Sequence, residues 1–101
     1  MNIKKKKDRD TLYIIISGRI DTATAPQLDT AVRASLNDVS TLILDFQDVK
    51  YVSSAGLRVL LSLQKKMMAK GEMKLIHVNE AVNEVFEVTG FDGFLTYETD
   101  V

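Results

Sequence analysis

Runs of strand type alternate with runs of helix type along this chain, and that alternation limits its possible folds most. Thr11–Ser17 is rich in β-branched and aromatic residues and stops at Gly18. Thr41-Leu-Ile-Leu-Asp-Phe46 and Met73–Val78 are apolar runs of strand length. Helical periodicity fills the gaps. Leu28, Ala31, Val32, Ser35 and Leu36 share one helical face. Leu57, Leu60, Leu61, Gln64 and Met68 form one stripe of a second helix over Ala55–Ala69, and Val59, Leu63 and Met67 form another. Strands joined through helices pair in parallel by right-handed crossovers. The order therefore predicts an α/β fold.

The ends of these elements are marked too. Asn2–Lys7 reads as an edge strand whose lysines discourage edge-to-edge pairing. Asp8-Arg-Asp10 is a turn, so the first two strands pair antiparallel. Thr24-Ala-Pro-Gln27 fits a capping box, with Pro26 tolerated in the first helical turn. Gly71 is placed to close the second helix. Asn79 caps a third helix over Glu80–Thr89, with Val82, Val85, Phe86 and Thr89 facing inward, and Gly90 stops it. A last strand covers Phe94–Glu98. The architecture predicted is a mixed β-sheet of about five strands, with three or four helices packed mainly on one face.

Composition narrows the class. At 101 residues and 46% apolar, the chain suits a single domain spanning 1–101 with one core. A net charge of −1 provides no drive toward nucleic acid or a membrane surface. The Lys4–Lys7 run lacks aromatic interleaving and reads as a solvated edge. There is no cysteine, hence no disulfide and no thiolate chemistry. No apolar run nears the roughly 20 residues of a membrane span, and no signal-peptide pattern follows Met1. A soluble cytoplasmic protein is expected, without direct membrane insertion. His77 is the single histidine and has no cysteine to join it, so neither a metal site nor a cofactor is expected.

The most informative segment is Asp48-Val-Lys-Tyr-Val-Ser-Ser-Ala-Gly-Leu57, a loop between a strand's carboxyl end and a helix start. Sites in open α/β sheets lie beyond the carboxyl ends of strands. A helix N-terminus has free N–H groups and partial positive charge, and so favours an anion. A serine there caps the helix or carries a phosphate. Gly18–Thr24 also follows a strand and is expected beside this loop.

Three segments resemble the STAS domain, in particular the bacterial anti-sigma factor antagonists. Gly18-Arg-Ile-Asp21 with Thr24-Ala-Pro-Gln-Leu28 is similar to the family's Gly-x-Ile/Leu-Asp segment and first helix start. Asp45-Phe-Gln-Asp-Val-Lys-Tyr-Val-Ser-Ser-Ala-Gly-Leu57 resembles its strand and serine loop. Glu84-Val-Phe-Glu-Val-Thr-Gly90 resembles its late helix. The resemblance implies an anti-sigma factor antagonist that regulates sigma-factor-dependent transcription. It would bind an anti-sigma factor serine kinase, be phosphorylated by it, be released, and be reset by a serine phosphatase. Aligned on Gly56 and Leu57, the family's phosphorylated serine falls on Ser54. Ser53 stands where the family has aspartate, and Ala55 where it has a second hydroxyl residue. The partner-binding residues implied are Asp21, Thr22, Ser53, Ser54, Ala55, Gly56, Leu57 and Arg58. Asp21 is also readable as a plain turn aspartate that caps the region before helix one.

Two other readings compete. One is a STAS adaptor that docks on a transporter ATPase or signalling complex without phosphorylation. The other is a serine hydrolase built on Ser54, but no base, Gly-x-Ser-x-Gly elbow or Gly-rich phosphate loop supports it. No catalytic residue is assigned. Val59, Leu63 and Met67 are either core or, near the helix start, partner surface.

Overall fold

In the computed structural model, which describes residues 1–100, five strands lie in their sequence order: β1 (Asn2–Asp8), β2 (Thr11–Ile20), β3 (Thr41–Val52), β4 (Glu72–Val78) and β5 (Tyr97–Thr99). β1 runs antiparallel to β2; the other neighbours are parallel. The helices α1 (Ala25–Arg33), α2 (Ser54–Met68) and α3 (Glu80–Thr89) each connect adjacent parallel strands. Each crossover steps one strand in the same direction. With a common right-handed sense, all three helices must fall on one face. That face holds the core: Leu12, Ile14, Ile16 and Ile20 of β2, Leu42, Leu44, Phe46, Val49 and Val52 of β3, and Met73, Leu75 and Val78 of β4. The other face stays open and presents Tyr13, Ile15 and Tyr51 among its exposed residues.

β3 is longer than its apolar run suggested. The segment expected to be a loop, 47–52, remains in the sheet beside Ser17–Ile20. Two register shifts explain it. Ile15 pairs with Asp45 but Ser17 with Asp48, and Gly18 pairs with Val49 but Arg19 with Tyr51. Each shift is a bulge that inserts one extra residue into β3. The inward positions therefore change from every second residue (Leu42, Leu44, Phe46) to every third (Val49, Val52). That pattern hides the strand from a period-two reading.

Other expectations need correction. Thr24 has helical dihedrals and makes no side-chain cap, so the capping box does not form. Gly71 does not close α2 in a left-handed conformation. It is required because a Cβ there would stand 1.9 Å from the Ser40 carbonyl oxygen. Leu63 and Met67 are fully buried, whereas Met68 is 71% exposed; the buried face of α2 combines Leu57, Leu60 and Gln64 of the first stripe with Leu63 and Met67 of the second. Thr89 is exposed and bonds back to the Val85 carbonyl. A 3₁₀ turn at Phe91–Gly93 shortens the last strand to Tyr97–Thr99. Asn79 does cap α3, accepting from Val82 N at 3.0 Å, and Gly90 ends it.

The lysines of β1 are not merely solvated. Lys5 Nζ donates to the Ala31 carbonyl (2.8 Å) and Ser35 Oγ (2.7 Å), and Lys7 Nζ donates to the Asn37 carbonyl (3.1 Å). Lys70 Nζ donates to the Leu36 carbonyl. Lys5 thus meets a carbonyl in the last turn of α1, where the dipole is negative, and Lys7 and Lys70 tie down the segment that follows it.

Candidate functional site

The two loops predicted to be neighbours are joined by a backbone bond. Ser53 N donates to the Ile20 carbonyl at 2.8 Å, directly beyond the Ile20–Val52 pair. Ser53 has an extended conformation and caps α2, its Oγ accepting from Gly56 N at 3.3 Å. Leu57 N donates to the Ser53 carbonyl at 2.9 Å. The Ser54 and Ala55 N–H groups are left free of intrahelical partners, as at any helix start.

Ser54 is the first residue of α2, one position earlier than the periodicity suggested, and it is exposed. Among the described residues its hydroxyl makes no side-chain hydrogen bond. Arg58, one turn on, is exposed and enters no ion pair among those residues. Ala55 is half-buried, while Gly56 and Leu57 are buried. Gly56 has a steric reason: a Cβ would lie 2.8 Å from Ile20 Cγ2 and 3.0 Å from both the Ile20 carbonyl oxygen and Val52 Cγ1. Gly56 and Leu57 therefore set the height of the helix start above the sheet, and the surface that meets solvent is made by Ser53, Ser54 and Arg58.

Asp21 organises the adjoining loop. Its Oδ1 accepts from Ala23 N (3.0 Å) and Thr24 N (3.1 Å), and its own N–H donates to Thr24 Oγ1 (2.8 Å). Thr24 Oγ1 in turn donates to the Arg19 carbonyl at 2.7 Å. The turn-aspartate reading thus holds: Asp21 satisfies the N–H groups of Ala23 and Thr24 just before α1. The Thr24 N–H is foremost in holding the Asp21 carboxyl below its ordinary pKa; desolvation opposes it, and the Thr24 hydroxyl, Ala23 N–H and Arg19 charge add to it. Thr22 is exposed on the same loop.

One pair on this edge was not anticipated. Arg19 and Tyr51 are register partners, and the guanidinium carbon lies 4.4 Å from the Tyr51 ring centroid. Their sequence separation holds no clue, because the two bulges of β3 decide which residue stands opposite Arg19. His77 lies elsewhere, at the end of β4, with Nδ1 3.4 Å from Asp100 Oδ1. Among the described residues no group of three or more His, Cys, Asp or Glu side chains is gathered as a metal site would require. Nor, among these residues, is any helix long and apolar enough to cross a membrane.

The STAS domain family model matches residues 2–101. The chain belongs to the STAS domain family. Curated relatives of this STAS domain bear the name anti-sigma factor antagonist. It is 33% identical over 93 residues to BtrV of Bordetella bronchiseptica, described as a candidate anti-sigma factor antagonist, covering 90% of this chain and 80% of BtrV. It is 29% identical over 100 residues to the anti-sigma-B factor antagonist of Listeria monocytogenes, covering 94% and 88%. Its fold matches that of the anti-sigma factor antagonist SpoIIAA in its unphosphorylated form, with a TM-score of 0.81 at 20% identity over 98% of this chain and 90% of SpoIIAA. The Bacillus SpoIIAA structure in the phosphorylated form matches with a TM-score of 0.73 at 19% identity, covering 98% and 93%.

Proposed function

We propose that this STAS domain is an anti-sigma factor antagonist working by partner switching. Unphosphorylated, it binds an anti-sigma factor that is also a serine kinase. That kinase transfers the γ-phosphoryl group of ATP to Ser54 Oγ, which loses its proton, and ADP leaves. The phosphorylated domain is released, and a serine phosphatase restores it by hydrolysis. The chain is then the kinase's substrate and a regulator of sigma-factor-dependent transcription, with no catalysis of its own. The observation that carries this reading is Ser54 itself: exposed, without a side-chain hydrogen bond among the described residues, and first in α2.

Charge supplies the mechanism. A phosphate adds about −1.5 to −2 charges and three acceptor oxygens. Within the domain the free N–H groups of Ser54 and Ala55 and the positive end of α2 accommodate it, with Arg58 one turn away. A partner packed against a neutral hydroxyl has no such provision and meets a desolvated dianion. Release needs little: about 1.4 kcal/mol is tenfold in affinity. Asp21, Thr22, Ser53 and Arg58 complete the docking surface, while Ala55, Gly56 and Leu57 hold it in place.

The test combines ATP, the anti-sigma factor from the same genome and this protein, with phosphate mapped by mass spectrometry. Phosphate on Ser54, and a Ser54→Asp variant that binds at least about tenfold more weakly, support the switch. Equal binding of Ser54→Asp and wild type refutes it. Ser53 in place of the family aspartate favours one second reading, an adaptor on a transporter ATPase or other signalling complex; stable binding without modification would select it.

A further inference from the structure

Arg19 and Tyr51 lie on the open face of the sheet at the same edge as Ser54. Arg19 precedes Ile20, whose carbonyl receives the Ser53 N–H, and Ser54 follows Ser53. Each therefore stands one residue from that bond. The backbone under Arg19 is fixed twice, by pairing with Tyr51 and by the Thr24 hydroxyl on its carbonyl. The side chain is 61% exposed, yet it is held over the Tyr51 ring. A stacked guanidinium loses less rotamer freedom on binding than a free one.

Its charge has one loose ion-pair partner and no hydrogen-bonded one. The nearest carboxylate oxygen, Asp21 Oδ2, is 3.8 Å from Arg19 Nε, too far for a hydrogen bond. The other Asp21 oxygen is occupied by the Ala23 and Thr24 N–H groups. Among the described residues no acceptor takes an N–H of this guanidinium. Lys50 and Arg58 are further exposed cations on the neighbouring segments. Arginine and tyrosine, with tryptophan, are enriched among the residues that dominate binding energy at interfaces.

We infer that the Arg19–Tyr51 pair is an anchor of the docking surface and that Arg19 receives a carboxylate side chain of the anti-sigma factor. The inference rests on the proposed function and adds the chemistry of the partner. It also adds to release, because a phosphate on Ser54 repels the carboxylate that Arg19 has drawn to this edge.

Binding of the anti-sigma factor is measured for wild type, Arg19→Gln and Tyr51→Ala over a range of salt concentrations, with thermal unfolding of each variant as the check on folding. Arg19→Gln is expected to weaken binding about tenfold at low salt and to flatten the salt dependence, a change that mere loosening of the loop would not produce. Tyr51→Ala keeps the charge but removes its platform, and costs about two- to fivefold. Wild type that binds, with an Arg19→Gln curve superimposed on it at every salt concentration, overturns the anchor alone. Wild type that does not bind overturns the proposed function and the anchor with it.

Discussion

Replacing three glycines by alanine should damage this fold in the order Gly71, Gly56, Gly93. At Gly93 an added methyl meets nothing within 4 Å, so the change stays within about 0.5 kcal/mol. At Gly56 the methyl meets Ile20 Cγ2 at 2.8 Å and the Ile20 carbonyl oxygen and Val52 Cγ1 at 3.0 Å. Ile20 is fully buried and Val52 nearly so, so neither can swing aside. Overpacking of this kind costs about 1–3 kcal/mol. Alanine returns up to about 1 kcal/mol of helix propensity, leaving a net loss of about 1 kcal/mol, or roughly 4–8 °C in Tm for a domain this size. At Gly71 the methyl would lie 1.9 Å from a backbone oxygen, so β3 and the α2–β4 turn must part, at a cost above that of Gly56→Ala. Urea midpoints and Tm values read the series. The Gly56 result has a functional side: pushing Ile20 away strains its bond to Ser53 N, so anti-sigma factor binding weakens with stability. Gly56→Ala at or above wild-type stability would refute the claim that close packing positions the serine loop.

Asp21→Asn should lower stability in a pH-dependent way. The folded-state pKa of Asp21 is depressed, so its contribution is full above the unfolded value of about 3.9 and is lost as pH falls through the folded value. The gap between wild type and variant in urea unfolding is therefore present at neutral pH and closes in acid; a gap that persists unchanged in strong acid would contradict this. Phe86→Ala empties a fully buried site whose ring faces Phe46 at 6.5 Å and Tyr97 at 5.1 Å, and should cost about 3–5 kcal/mol by chemical denaturation. Ser53→Ala removes the α2 cap for about 1 kcal/mol, whereas Ser53→Asp keeps it; equal midpoints for the two would show that the 3.3 Å bond to Gly56 N contributes nothing.

The sequence by itself determined the order and kind of the elements, the antiparallel start, the Asn79 cap and the serines at the start of the second helix. These follow from local patterns: β-branched runs, helical spacing and residues with strong cap or turn preferences. Tertiary structure decided the rest. Whether Leu63 and Met67 or Met68 faced the sheet depended on how α2 sat against β3 and β4, which the stripes of one helix do not encode. Thr24 had the chemistry of a cap, but its hydroxyl is taken by the Asp21 N–H and the Arg19 carbonyl, and Asp21 accepts from the N–H groups of Ala23 and Thr24. The two bulges changed the inward spacing of β3, kept 47–52 in the sheet, and brought Tyr51 opposite Arg19. Register is a relation between strands, set by which side chains the shared core accepts; no single stretch of chain contains it.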